Sequence, residues 1–313
     1  MGTAVDLAVI NGLTSLTNNL AVLPARPVGQ FYSLAEYLVD NELEPIEENV
    51  LAAREELNIN KNLLPSTVLK KFEEVEWYYD TLTENKGKVL LTESELDDVI
   101  RIHNSLFTSK RTKRFFEPQE NVVRFGHVQI DFLYEGVECK AELDIVDINM
   151  KDMTIQPYDV KTTGKETRKF PEAVIKRRYD IQAASYTVAL TELVAGRATS
   201  PQINIDLRDF IVLPFVFLVE TTVTELIGLA PMPYKATSEL LRAGLYGVFR
   251  DRRFMVTGPP PNMLFSPTPL IPGFHSLIQD YKWYQTRPKE DRAYTRLENE
   301  QMDKEDAVLL LGW

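Results

Sequence analysis

Three residues with the potential to act together lie in two neighbouring stretches of the chain, KAELDIVDI and TIQPYDVKTTG. Asp159 and Lys161 are two residues apart in a segment with the composition of a β-strand, so their side chains should project from the same face. Asp144 lies in the preceding predicted strand, and an antiparallel hairpin would bring its carboxylate beside that of Asp159. Two carboxylates at close range repel each other unless a positive charge lies between them. The pattern therefore predicts a divalent-cation site with a lysine at its edge.

Such a site is suited to the hydrolysis of phosphodiesters. Mg²⁺ usually takes one or two carboxylates from the protein and leaves its other positions to water and phosphate. The cation stabilises charge on the phosphate and lowers the pKa of the attacking water, while a lysine can offset charge that develops in the transition state. Mn²⁺ accepts the same oxygen ligands, so either Mg²⁺ or Mn²⁺ is expected.

The acid-x-Lys triplet alone is weak, since it also occurs at 84–86, 138–140 and 280–282. At Asp159 it differs, because it follows an acidic strand and precedes a basic predicted helix. On that helix, Gln182 and Tyr186 are four residues apart and share a face, with Arg178 one turn earlier.

In this order, CKAELD, YDVKTT and RRYDIQAASY resemble the RecB-type nucleases of the PD-(D/E)XK superfamily, and most closely the phage and prophage exonuclease VIII (RecE) family. The resemblance covers about residues 120–190. It implies a restriction-endonuclease-like α/β fold with a mixed central sheet flanked by helices. It also implies an exonuclease that degrades linear double-stranded DNA from its ends, 5′ to 3′, in phage-type recombination. The residues that it assigns to the site are Asp144, Asp159 and the carbonyl of Val160 as metal ligands, Lys161 as the catalytic lysine, and Gln182 and Tyr186 as organising residues.

The same resemblance implies an earlier acidic or histidine ligand and several partners. Glu120, just ahead of a predicted strand, is the first choice for this ligand, and His103 on the preceding helix is the second. Glutamates before strands are usually solvated, and His103 would ordinarily pack against a helix or the core. The expected partners are a single-strand annealing protein and further copies of this chain in a homo-oligomer. The expected contacts to DNA phosphates are Lys165, Lys169, Arg177 and Arg178.

Composition sets the remaining limits. The chain has 313 residues, a net charge of −11 and one cysteine, which excludes disulfides within the chain and multi-cysteine metal sites. Basic residues nevertheless concentrate at 101–114 and 161–186. Neither a run of about 20 apolar residues nor a signal peptide is visible, so no membrane association and a cytoplasmic location are expected, in a bacterial host if the chain is phage-derived.

Periodicity predicts three regions: a helical N-terminal region at 1–91, the nuclease core at 92–257, and a tail at 258–313 with one helix near 277–284. The core should run helix, three strands, one long helix at 171–193 and a buried strand at 210–220. Two alternatives stay open, namely a structure-specific or single-strand nuclease and a non-catalytic DNA-binding or assembly protein on a nuclease fold.

Overall fold

A computed structural model describes residues 2–26, 29–227, 231–248 and 271–285, apart from the side chains of 175, 283 and 284. Most of the predicted tail, 258–270 and 286–313, therefore lies outside the described residues. The chain divides into two compact units, one over Thr3–Ile100 and one that begins at Arg101. The division falls inside a helix, whereas the sequence placed it before that helix, at residues 91 and 92. Within the described residues, no helix is both long and apolar enough to cross a membrane.

The first unit is helical, as predicted, with one short pair of strands in addition. Leu20–Leu23 (β1) and Val89–Thr92 (β2) pair in parallel. Apolar side chains such as Leu34, Val68 and Phe72 form the core between the helices. The helices are Gly2–Asn11 (α1), Leu13–Asn18 (α2), Tyr32–Asp40 (α3), Glu47–Glu56 (α4), Pro65–Glu73 (α5) and Glu76–Glu84 (α6).

A capping box starts the next helix, Glu93–Thr108 (α7). The backbone N–H of Thr92 donates to Oε2 of Glu95 at 2.8 Å, and the N–H of Glu95 donates to Oγ1 of Thr92 at 3.3 Å. These reciprocal bonds satisfy donors that have no partner within a helix. The spacing Thr-x-x-Glu at 92–95 is the sequence signature of such a helix start.

The second unit is built on a mixed sheet whose strands follow the spatial order β6-β3-β4-β5-β8-β9. Neighbours are antiparallel except β5 and β8, which run parallel, and β7 pairs in parallel with the start of β5. The fold is therefore α/β with a mixed central sheet flanked by helices. The strands are Val122–Tyr134 (β3), Val137–Asn149 (β4), Thr154–Thr163 (β5), Ala198–Thr199 (β6), Ile211–Val212 (β7), Val216–Thr221 (β8) and Met232–Lys235 (β9).

Helices cover this sheet. Two short strands, Gly247–Val248 (β10) and Ile271–Pro272 (β11), pair antiparallel beside it. All six residues of β8 are buried, as expected of a strand covered on both faces, although the predicted strand at 210–220 is in fact divided into β7 and β8. The helix predicted near 277–284 is confirmed. The helices that follow β5 are Phe170–Lys176 (α8), Tyr179–Val194 (α9), Ser238–Tyr246 (α10) and Phe274–Gln285 (α11).

The single long helix predicted at 171–193 is wrong, because it is interrupted at Arg178. This residue has φ 57 and ψ 39, in the left-handed region, so the chain turns between α8 and α9. The Arg178 guanidinium donates to both carboxylate oxygens of Asp180 at 3.1 Å and to the carbonyl of Pro272 at 2.6 Å. These contacts hold the turn and orient the start of α9.

Candidate functional site

Asp159 and Lys161 form an ion pair on β5. The Nζ of Lys161 lies 2.5 Å from Oδ2 of Asp159, and the side chains are 17% and 1% exposed, respectively. Their separation by two residues places both on one face of the strand, as the sequence predicts. A carboxylate this deeply buried requires a compensating positive charge, and Lys161 supplies it.

Asp144 joins this pair because the ladder between β4 and β5 ends beside it. The last paired residues are Ile145 and Tyr158, so Asp144 lies opposite Asp159 where regular pairing has stopped. Its Oδ2 accepts the backbone N–H of Val160 at 2.9 Å. The N–H and C=O of one strand residue point towards the same neighbouring strand, so the Val160 carbonyl is also directed towards β4.

An irregularity in the β3–β4 hairpin gives Asp144 this orientation. Leu143 and Val146 belong to the same hydrophobic core although their separation is odd, so the alternation of faces changes phase between them. Opposite this point, His127 adopts φ 49. The phase change releases Asp144 from the regular alternation and lets its carboxylate reach Val160 on β5.

The start of α9 completes the arrangement. Nε2 of Gln182 donates to Oδ1 of Asp159 at 2.8 Å, so both oxygens of this carboxylate are engaged. Burial raises the pKa of Tyr186, against a hydrogen bond from Gln182 that lowers it. The ring of Tyr179 lies 5.1 Å from Nζ of Lys161, within the range of a cation–π contact. The predicted pair Gln182 and Tyr186 thus meets the predicted acid-x-Lys motif.

The charges of the site act on one another. Burial lowers the pKa of Lys161, but the charge and hydrogen bond of Asp159 and the charge of Asp144 outweigh it, so its net pKa is raised. Lys161 therefore stays protonated at neutral pH. Burial raises the pKa of Asp144, and the Val160 N–H and the Lys161 charge only partly oppose the rise.

The donor set fits a hard divalent cation in part. Within the described residues, no three His, Cys, Asp or Glu side chains form a ready-made metal shell. Asp144, Asp159 and the Val160 carbonyl offer oxygens, which suits Mg²⁺ because it usually binds through one or two carboxylates and keeps several waters. Lys161 already places one positive charge beside Asp159. A bound cation would add further positive charge next to the two carboxylates.

The structure does not bring Glu120 to these aspartates. Glu120 is exposed and precedes β3, where Val122 pairs with Asn149, which in turn pairs with Thr154. Thr154 is five residues from Asp159, roughly 16 Å along an extended strand. This register places Glu120 too far from Asp159 for the two carboxylates to share one cation.

His103, the second choice, lies elsewhere in its own cluster. Its ring stacks on Phe107 with centroids 4.2 Å apart, and burial lowers the pKa of its imidazole. Packing against its own helix explains this residue without a ligand role.

The sequence reasoning missed His127, which lies opposite Asp144 between the pairs Gly126–Ile145 and Val128–Leu143. Its Nδ1 is 4.0 Å from Oε1 of Glu142. Counting back from the two-residue turn at 135–136 would have placed His127 across from Asp144. The sequence signal for His127 is therefore the hairpin register and not a metal-ligand spacing.

The predicted phosphate contacts differ in their surroundings. Lys165, Lys169 and Arg177 are exposed, and Nζ of Lys165 lies 3.7 Å from Glu172. Arg178 is instead held by Asp180 and Pro272 at the α8–α9 turn. Nε and Nη2 of Arg178 are therefore used within the fold, and its contact with DNA stays a prediction.

Fold and site together define an α/β protein with a buried Asp–Lys–Gln cluster and a second carboxylate beside it. Comparison with models of known protein families and with curated proteins finds no match. Any assignment of function rests on the residues and geometry described above.

Proposed function

We propose that this chain is a metal-dependent deoxyribonuclease with a PD-(D/E)XK core, acting as an exonuclease on linear double-stranded DNA from its 5′ ends. The observation that carries the proposal is the engagement of buried Asp159 by Lys161 at 2.5 Å and Gln182 at 2.8 Å, with Asp144 on the neighbouring strand. These residues come from three separate elements of the chain, β4, β5 and α9.

Each residue has a chemical role in this proposal. Asp144, Asp159 and the Val160 carbonyl would hold Mg²⁺ or Mn²⁺, and His127 replaces Glu120 as the earlier ligand. When bound, the cation supplies charge stabilisation at the phosphate and a more acidic water. Protonated Lys161 would offset the charge that develops on the phosphate.

The organising residues act through Asp159. Gln182 holds one carboxylate oxygen, so the other is left to the positive charges in the site. Tyr186 packs one turn later on α9, with its ring 6.1 Å from that of Phe215. This packing fixes the face of α9 that carries Gln182.

A purely structural ion pair is the plain alternative. Replacing a buried ion pair by apolar residues is often neutral or stabilising, so such pairs are weak devices for stability. Here a second carboxylate lies beside the pair at an energetic cost that a structural role does not explain. The cost is understandable if the group binds a cation during function.

Exposed cations beside the site favour a polyanionic substrate. These exposed Lys and Arg side chains lie in the segment that follows β5. They form a locally basic stretch in a chain whose net charge is −11. Such local basic surface can hold a phosphate backbone without base readout. Homo-oligomerisation and a single-strand annealing partner belong to the same proposal through the family resemblance. The exposed residues are Lys165, Arg168, Lys169, Lys176 and Arg177.

The test is digestion of linear duplex DNA, labelled separately at its 5′ and 3′ ends, with Mg²⁺ or with EDTA, beside closed circular DNA. Mg²⁺-dependent loss of the 5′ label with intact circles would support the exonuclease. Cleavage of circles or preference for single strands would replace it by a structure-specific or single-strand nuclease. Absence of cleavage with Mg²⁺ and Mn²⁺ would leave a DNA-binding or assembly protein.

A further inference from the structure

Two basic segments that are far apart in sequence meet at the β9 edge of the sheet. The first includes Arg111, which follows α7, and the second includes Arg168, between β5 and α8. Nη1 of Arg111 contacts Sδ of Met232 on β9. The backbone carbonyl of Thr167, next to Arg168, accepts the hydroxyl of Tyr234 on the same strand.

Arg111 reaches the face of the sheet that carries Lys161. Ser105 of α7 donates to the buried carboxylate of Glu220, so α7 packs on one face of β8. Val219 precedes Glu220 and therefore points to the other face. α7 and Met232 lie on opposite faces, and Thr112 still donates to the Leu106 carbonyl of α7, so it is the side chain of Arg111 that reaches Met232 at the β9 edge.

Strand register relates this edge to the candidate site. Lys161 pairs with Val219, and Val219 pairs with Met232, so the three form one row across the sheet. Two strand spacings amount to about 10 Å. The Arg111 guanidinium, which contacts Met232, is thus near enough to Lys161 for one nucleic acid strand to contact both side chains.

The two arginines lie close to one hydroxyl and are open to solvent. Burial raises the pKa of Tyr234 to about 12, and the charges of Arg111 and Arg168 oppose the rise. Both arginines are exposed, and within the part of the chain that the structure describes neither has a carboxylate partner. By contrast, Arg208 is bound by Asp206 at 2.5 Å.

We propose that Arg111 and Arg168 form a phosphate clamp at the β9 edge that grips the backbone of the DNA strand entering the site at Lys161. This clamp rests on the proposed nuclease function and adds a contact surface to it. A backbone contact of this kind positions the strand without reading its sequence. It also gives a use to the basic segment at 101–114.

The experiment measures the affinity of the full chain for a fluorescent linear duplex in EDTA, by anisotropy, across a series of salt concentrations. Arg111→Gln and Arg168→Gln should each lower the salt-dependence slope by about 0.9, since each phosphate contact releases counterions. The double variant should lose about twice that. Arg208→Gln is the matched control, because β7 beyond it pairs with Thr154 at the other end of β5, and its slope should equal that of the wild type.

Thermal unfolding separates a clamp from a packing role. The clamp predicts unchanged unfolding midpoints with reduced slopes. Unchanged slopes in Arg111→Gln and Arg168→Gln, or losses that follow a fall in stability, would overturn it. If the wild type binds and cleaves DNA while these slopes are unchanged, the clamp fails and the nuclease stands. If the wild type neither binds nor cleaves, both fail.

Discussion

At the scale of single residues, the fold disfavours the charge of Asp144. Its pKa is raised by burial, against the opposing Val160 N–H and Lys161 charge. A carboxyl whose folded pKa lies above its unfolded pKa contributes stability at low pH, and this is lost as pH rises through the folded pKa. At neutral pH the ionised Asp144 therefore lowers the free energy of unfolding.

Asp144→Asn should raise the midpoint of thermal unfolding at pH 7, by roughly 2–4 °C for each kcal/mol recovered. The amide can still accept the Val160 N–H. The difference from the wild type should shrink as pH falls towards 4, and Mg²⁺ should stabilise the wild type but not the variant. A variant that is less stable at pH 7 and still stabilised by Mg²⁺ would contradict this account.

Gln182→Ala removes a hydrogen bond to a charged acceptor. Such a bond contributes about 1.5–3 kcal/mol, so cleavage should fall roughly 10- to 100-fold if Asp159 must be held in place. Affinity for DNA in EDTA should be unchanged, since Gln182 is uncharged and its amide is bound to Asp159. Thr191→Ala, an exposed site on the same helix, is the control. Equal loss of cleavage in both variants would mean that α9 was disturbed in general.

At the scale of elements, the α8–α9 turn decides where Gln182 lies. Asp180 is buried, and Arg178 is its partner. Removing one member of a buried pair costs about 3–5 kcal/mol. Arg178→Ala should therefore lower the unfolding free energy in urea by an amount approaching that range, with an unchanged salt slope for DNA binding. Arg177→Ala, at an exposed position, should leave the unfolding free energy unchanged and reduce the salt slope. A reduced slope in Arg178→Ala would mean that Arg178 also contacts phosphate.

Helix α10 packs against this turn at Gly244. A Cβ at this position would lie 2.0 Å from the backbone oxygen of Asp180, which is too close for the two helices to keep their distance. Gly244→Ala should cost about 1–3 kcal/mol through overpacking and lower cleavage with it. Gly164→Ala is the control, because its Cβ would meet nothing within 4 Å. Chemical denaturation of both variants measures the loss in unfolding free energy. An equal loss in Gly244→Ala and Gly164→Ala would mean that the close packing at Gly244 is not required.

The elements also show how far the sequence could lead. The alternation of apolar residues and the turn at 135–136 predict the β3–β4 hairpin. The spacing by two predicts that Asp159 and Lys161 share a face of their strand, and the spacing by four predicts that Gln182 and Tyr186 share a face of their helix. The turn at Arg178 could not be read from the local sequence, because one of the contacts that hold it is to Pro272, 94 residues later. The prediction for Glu120 depended on its position just before a strand, whereas the strand register sets its distance from Asp159.

At the scale of the whole molecule, the fold combines a net charge of −11 with exposed cations beside the candidate site. An acidic body limits indiscriminate binding to nucleic acid, while a local basic surface can still hold one strand. DNA binding should therefore weaken steeply with salt, by about 0.9 in logarithmic slope for each phosphate contacted. In the function that we propose, the buried Asp159 cluster cleaves this DNA.

The most direct experiment compares the wild type with Asp159→Asn for Mg²⁺-dependent cleavage of linear duplex DNA and for DNA affinity in EDTA. The amide keeps the shape of the side chain but lacks the charge that pairs with Lys161 and would hold a cation. We expect cleavage to fall at least 100-fold, about 2.7 kcal/mol, with a folded protein and DNA affinity close to that of the wild type. Undiminished cleavage by Asp159→Asn would contradict the account and place the active site elsewhere in the chain.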